Sequence, residues 1–376
     1  MADPRYDQLA DVLVNYSCAL QPGDNILIEA FDIPDTFVRS LIRASAEAGG
    51  RPLVSLRSNA VMRDLMLASS EEQMSLLGEI DAFRMERMDA YIGVRGNPNI
   101  SEWSDVPPEA MQRYQGLWWK PAHQKLRVEE TRWVVLRWPD PSMAQQALMP
   151  TEAFEDFYFQ VCTLDYARMS RAMQPLKELM ERTDRVRLVA PGTDLRFSIR
   201  DIPAICCDGG RNIPDGEVFT APVRDSVEGT IQFNAATIYQ GVSHERIRLV
   251  FEKGQVVDSD SSNAEHLRSV LDTDEGARYV GEFAIGFNPH ITRPMKDILF
   301  DEKIAGSIHF TPGAAYKSAW NGNESQIHWD MVLMMDAEAG GGEVYFDDVL
   351  IRRDGLFVLP ELEDLNPENL LGGQDG

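Results

Sequence analysis

Cysteine is scarce in this chain of 376 residues: there are four, at 18, 162, 206 and 207. They are scattered, the adjacent pair cannot easily bridge to each other, and none shows zinc-finger spacing. A disulfide framework is therefore disfavoured, and the four read as reduced thiols of a cytosolic protein. Long apolar runs are missing as well; none approaches the roughly 18–20 residues that a membrane helix needs. Basic residues are in deficit, 36 Lys and Arg against 60 Asp and Glu, for a formal net charge of −24. Nucleic acid and anionic membrane surfaces repel such a chain and are excluded as partners. The N-terminal MADPRYDQLADVL is polar and acidic, unlike a secretion signal. No Gly-x-Gly-x-x-Gly or Walker-type loop follows any candidate strand, so nucleotide binding lacks local support.

What is present is a globular composition, 44% hydrophobic and 26% charged. The length exceeds one ordinary core and implies two domains of about 150–200 residues. The first half alternates strands and helices. GDNILIEA, RPLVSL, DAYIGVRG and TRWVVLRW read as strands, with a helix over PDTFVRSLIRASAEAGG that Asp35 caps and Gly49–Gly50 stop. Further helical patterns lie in SSEEQMSLLGEIDAF and in the long stretch from Glu152 to Glu181. This βαβ grammar predicts a parallel sheet with covering helices. Trp118 and Trp119 read as packing residues. Near residue 185 the pattern changes to short strands separated by Gly, Pro and Asp turns. We therefore expect an α/β N-terminal domain over 1–185 and a mainly antiparallel α+β domain over 186–376. A single helix is expected near 262–279, and an acidic, Gly-rich tail after Pro360 is expected to fray.

The chemistry collects in the second half. In SQIHWDMVLMM, His328 and Asp330 are two apart and project from one face of a strand, with Ile327, Trp329 and Met331 on the other. Such a pair can be purely structural, and a lone strand histidine such as His309 in KIAGSIHFTPG is more often a satisfied core residue. Yet Glu217, directly after Gly216 and ahead of an apolar run, and Glu282, in the same Gly-Glu-apolar arrangement, are also costly to bury unpaired. Together the five form a mixed nitrogen and oxygen donor set suited to zinc, cobalt, manganese or iron(II).

GEVFTAP, DTDEGARYVGEFAIG, LFDEKIAGSIHF, NESQIHWD and GGEVYFDDVLIRRDGLFVLPEL occur in the order seen in the aminopeptidase T/aminopeptidase S family of bacterial metallo-aminopeptidases, which this chain resembles. The resemblance implies a cytosolic exopeptidase, usually dimeric, with two divalent metals in the C-terminal domain. It makes Glu217, Glu282, His309, His328 and Asp330 the metal ligands, and matches Tyr316 and Glu302 to further family positions. Tyr316 could then stabilise an oxyanion or assist proton transfer, although a packed aromatic after a turn is the competing reading. Glu217 would act in catalysis as well as in metal binding.

Some features depart from that pattern. Few residues separate Tyr316 from His328 where peptidase members carry more, and two extra residues lie between Glu302 and His309. The short form is also similar to an iron(II) dioxygenase that opens 2,5-dihydroxypyridine, in which a histidine stands where Glu282 is placed here. Hydrolysis of a short peptide or related small amide is the leading expectation, with iron(II)-dependent ring cleavage of a hydroxylated pyridine as the alternative.

Overall fold

The structure, a computed structural model, describes residues 3–372. The chain divides into two compact units, Met1–Leu164 with Gly209–Pro214, and Asp165–Asp208 with Asp215–Gly376.

The first unit is built on a five-stranded parallel sheet in the order Arg51–Arg57, Asn25–Phe31, Ala90–Arg95, Arg132–Arg137, Asn212–Ile213. Its central strands, NILIEAF and AYIGVR, are apolar almost throughout and buried along nearly all their length, as a strand covered on both faces must be. The helix Asp35–Glu47 buries Phe37, Val38 and Leu41. Asp35 is its first residue, where its charge suits the helix N-terminus, and Pro34 holds the cap position that Asp35 was expected to hold. Glu71–Met85 starts at Ser70, whose hydroxyl accepts from the Gln73 N–H at 3.2 Å. Trp118 is a packing residue, buried with its indole N–H donated to Asp81 at 2.6 Å.

The second unit pairs an eight-stranded with a five-stranded sheet. Their facing surfaces interlock through aromatic rings: Phe197 of the larger sheet lies 4.9 Å from Phe283 and 5.2 Å from Phe310 of the smaller, between ring centroids. The helix Tyr166–Arg182 belongs to this unit rather than to the one before it. It buries Tyr166, Met169, Met173, Leu176 and Met180, a stripe at helical spacing that packs on the Ile205–Cys207 strand and the Pro360–Leu365 turn. The change of strand grammar at 185 thus marks where a sheet begins, one helix after the unit does. The helix expected near 262–279 is Ala264–Leu271 followed by a short 3₁₀ turn, Glu275–Arg278. The tail is ordered as far as it is described. Leu362, Leu365 and Leu370 are buried, and the Asn366 side chain clips both backbone groups of Phe357 at 2.8 and 3.0 Å. Residues beyond 372 lie outside the described chain.

Candidate metal centre

The five-stranded sheet runs Met331–Met334, Ser307–Pro312, Val280–Gly286, Glu217–Thr220, Ile205–Cys207, all antiparallel. Its register brings the candidate ligands together. On the central strand Gly286 faces Glu217, Ala284 faces both Phe219 and His309, and Glu282 faces Thr311. His309 in turn faces Val332, two residues beyond Asp330, and Gly313 bridges to His328. Strand alternation then places Glu217, Glu282, His309, His328 and Asp330 on one face. The other face carries Val218, Phe283, Ile285, Ile308, Phe310, Met331 and Leu333, all core. His328 and Asp330 lie in the extended lead-in to their strand, which starts at Met331.

Two glycines allow the close approaches this arrangement needs. Gly216 has φ +137°, and a Cβ there would meet Cβ of Asn288 at 3.0 Å, so the turn into the Glu217 strand admits only glycine. A Cβ on Gly286 would meet the Glu302 and Ile304 carbonyl oxygens at 2.8 Å. The 302–304 segment therefore passes directly over the sheet and closes the site from above.

Both histidines are oriented alike. Nδ1 of His328 lies 2.8 Å from the Ala314 carbonyl, and Nδ1 of His309 lies 3.3 Å from the Glu302 carbonyl. A carbonyl only accepts, so each Nδ1 carries its proton and each Nε2 is directed at the acids. Nε2 of His309 is 2.7 Å from Glu282, and Nε2 of His328 is 3.2 Å from Asp330 and 3.5 Å from Glu282. Ligand atoms of Glu282, His309 and Asp330 fall within 4.8 Å of one another. Thr311 donates to Asp330 at 2.6 Å and fixes that carboxylate. Glu217 stands apart from these four, 3.4 Å from Nδ1 on the far side of the His309 ring.

The electrostatics demand a cation. Asp215, Glu217, Glu282, Glu302 and Asp330 converge, with Lys303 as the permanently charged partner of three of them. Burial pushes the Glu217 carboxyl up to about 8 against the pull of Lys303. Burial also opposes charge on the imidazoles, yet Glu217 and Glu282 raise His309, and Asp330 and Glu282 raise His328, each to about 10. Asp330 stays well below the usual carboxylate range despite burial, because His328 lies beside it. The cluster thus relieves its charge by holding protons on two imidazoles, a demand that a dication meets by displacing them. Glu217 Oε2 and Glu282 Oε2 are buried with no hydrogen-bond partner. Orphaned carboxylate oxygens beside two oriented imidazoles fit a divalent metal of the zinc, cobalt, manganese or iron(II) kind.

Tyr316 is 52% exposed, its ring centroid 4.7 Å from that of His328. Burial of its inner side and the Glu282 and Asp330 charges push the phenol well above its ordinary range, so it stays protonated. Glu302 joins the site through its carbonyl on His309 and its carboxylate on Lys303. Lys303, Asp215 and Thr311 were not found from sequence. A lysine beside two acids reads as a solvated loop charge, and only the fold of 302–304 over Gly286 buries it.

Histidine and carboxylate donors converging on one sheet face define a divalent-metal enzyme. The sequence model of the family described as thermophilic metalloprotease (M29) matches residues 2–357, and the chain belongs to that family. It is accordingly a metal-dependent hydrolase of the metallopeptidase class. Aminopeptidase T of Thermus thermophilus is 28% identical over 383 residues, covering 87% of this chain and 91% of the relative. The solved structure of wild-type AmpT from Thermus thermophilus superposes with a TM-score of 0.77 at 25% identity, covering 95% of this chain and 99% of the other. The 2,5-dihydroxypyridine dioxygenase of Pseudomonas putida reaches 0.60 at 16% identity over 95% and 98%, a likeness of fold alone. The resemblance read from the five motifs is borne out. No helix among the described residues is long and apolar enough to cross a membrane.

Proposed function

We propose that this chain is an aminopeptidase that removes N-terminal residues from short peptides, using zinc, cobalt or manganese held by Glu282, His309, His328 and Asp330, with Glu217 bordering the same centre. The observation that carries this reading is the shared orientation of the two histidines, each tied by Nδ1 to a backbone carbonyl and aiming Nε2 at buried acids. A bound divalent ion would supply Lewis acidity and bring the pKa of a bound water down to about 7.

The chain's own residues do the rest. The phenol of Tyr316, held protonated, donates to the oxyanion that develops on the scissile carbonyl. Glu217, whose affinity for a proton burial has raised to near neutrality, can take a proton from water and pass it to the leaving amine. The surplus of carboxylates attracts the α-ammonium group of a free peptide N-terminus and repels a C-terminal carboxylate, which favours an exopeptidase acting from the amino end. The short Tyr316–His328 segment leaves little chain to build subsites, which suits small substrates.

A cytoplasmic setting and a homodimer belong to the same reading. Four free cysteines support the first. The second is supported by the exposed Leu56, Leu76, Ile80 and Phe83 of the first unit, apolar surface of the kind subunits cover. Ring cleavage is the weaker alternative, because Glu282 gives the Nε2 side a second carboxylate where a two-histidine triad needs one. The test is turnover of aminoacyl anilides and dipeptides by metal-loaded protein without oxygen. Turnover of hydroxypyridines that strictly requires oxygen and iron(II), with no amide hydrolysis, would overturn the proposal.

A further inference from the structure

Lys303 is a buried side chain with an unusual neighbourhood. It is 1% exposed, and its Nζ lies 3.2 Å from Glu217 Oε1 and 3.8 Å from Asp215 Oδ1, with a further hydrogen bond to Glu302. An ammonium that far from water persists only when acids surround it. The same acids form a ready-made cation site: ligand atoms of Cys207, Asp215 and Glu217 lie within 4.8 Å of one another, as do those of Glu282, His309 and Asp330. The fold thus contains two adjacent acidic pockets separated by the His309 ring, and Lys303 stands in one of them.

Three further facts decide what that means. The Lys303 backbone is pinned on both sides, its N–H donating to the Phe300 carbonyl at 3.0 Å and its carbonyl accepting from Asn288 at 2.9 Å. The side chain therefore starts from a fixed point and is enclosed by protein, so it cannot swing out to solvent. His309 offers no nitrogen to the Glu217 pocket, because its Nδ1 proton is given to the Glu302 carbonyl. And a dication among those carboxylates would lie within a few ångströms of a fixed ammonium, in surroundings where charges are poorly screened.

We infer that Lys303 is a built-in cation that takes the place of a second metal, so that the centre holds one divalent ion, on the Nε2 side of His309. This rests on the metal reading above and narrows it: Glu217 is bound to Lys303 rather than to metal, and water activation falls to a single ion flanked by acids. The residue in question sits in the segment that lies across Gly286, so the substitution of ammonium for metal is fixed by the same close approach that closes the site.

The experiment is metal counting. The purified chain is loaded with excess zinc or manganese, freed of loosely held ions, and measured by inductively coupled plasma and native mass spectrometry. One equivalent per chain is expected for the wild type and for Glu217→Gln, and two for Lys303→Met, whose side chain keeps the length and loses the charge. Anomalous diffraction from wild-type crystals should show one peak, near His309 Nε2, and none within about 3 Å of the Glu217 carboxylate, a distance that still exceeds a metal–carboxylate bond. The crystal result stands even if Lys303→Met fails to fold. Two equivalents in the wild type overturn the inference and leave the metallopeptidase reading intact. A folded Lys303→Met that still binds one overturns it too. No bound metal under any loading condition overturns both.

Discussion

The Ala314 carbonyl lies 2.8 Å from Nδ1 of His328, and it reaches that place across Gly281, where a Cβ would meet the same oxygen at 2.2 Å. One missing methyl group on the central strand therefore sets the tautomer and aim of a histidine on another. Gly281→Ala should push the carbonyl away and release the ring. Loss of an orienting partner typically weakens metal affinity by about 10–100-fold. Competitive metal titration of the variant measures this, and an unchanged affinity with the fold intact would refute the orientation argument.

His328→Ala and Asp330→Ala should each abolish tight metal binding and activity while leaving the circular-dichroism spectrum nearly unchanged. Both side chains retain some solvent exposure, so little packing is lost with them. Removing a ligand from a site of four leaves too few donors to hold the ion. Full metal content in both variants would contradict the assignment.

Metal should also act as a stabiliser. A ligand that binds only the folded chain adds about 2.7 kcal/mol at a hundred times its Kd, and here it would cap the Glu282 carboxylate oxygen that otherwise has no hydrogen-bond partner. Melting temperature should rise with added zinc or manganese and fall with a chelator. The His328→Ala variant should show a flat response, and a wild type that is equally flat would count against a metal centre.

In the first unit, His123 gives a pH signature independent of the metal. Burial lowers its pKa to about 4, although Glu29 lies 3.9 Å away and favours its charge, while Arg127 opposes it. Between about 4 and the ordinary value near 6.5 the unfolded chain binds more protons than the folded one, so stability rises with pH across that window and is lost on acidification. The contribution is at most about 3 kcal/mol. Comparing melting temperatures of wild type and His123→Gln from pH 4.5 to 7 isolates it; the variant's curve should be flatter, and parallel curves would show that His123 is charged in the fold.

Much of this was legible in the sequence, for reasons that differ by residue. Glu217 and Glu282 stand out because a carboxylate after glycine breaks an apolar strand pattern without a basic neighbour. His328 and Asp330 announce a common face through their spacing of two, and the register confirms it although their strand begins a residue later. The parallel strands of the first unit were visible as short apolar runs. Asn212–Ile213, the fifth strand of that sheet, was not, because two residues carry no periodicity. Asp215 and Lys303 were hidden for a deeper reason. Lys303 meets Glu217 across 86 positions and Asp215 from still farther away in sequence, and only the crossing of the 302–304 segment over Gly286 brings them together. The folded tail was misjudged because acidic residues outnumber the leucines that anchor it.

The strand register carries a consequence for how such a chain can change over time. Ligands and core occupy opposite parities of the same ladder, so inserting or deleting one residue within a strand such as Ser307–Pro312 would trade its imidazole for a phenylalanine and flip all other side chains of that strand with it. The ligands of a strand are thus kept in phase with its share of the hydrophobic core, so a change of length within the strand costs the fold along with the metal, whereas a point substitution can remove a ligand and spare the fold. The connections carry no such phase lock. The segment from Tyr316 to His328 lies outside the strand ladder, so its length can change without shifting the ligands' phase, which leaves substrate choice as the variable that lineages sharing this centre can revise.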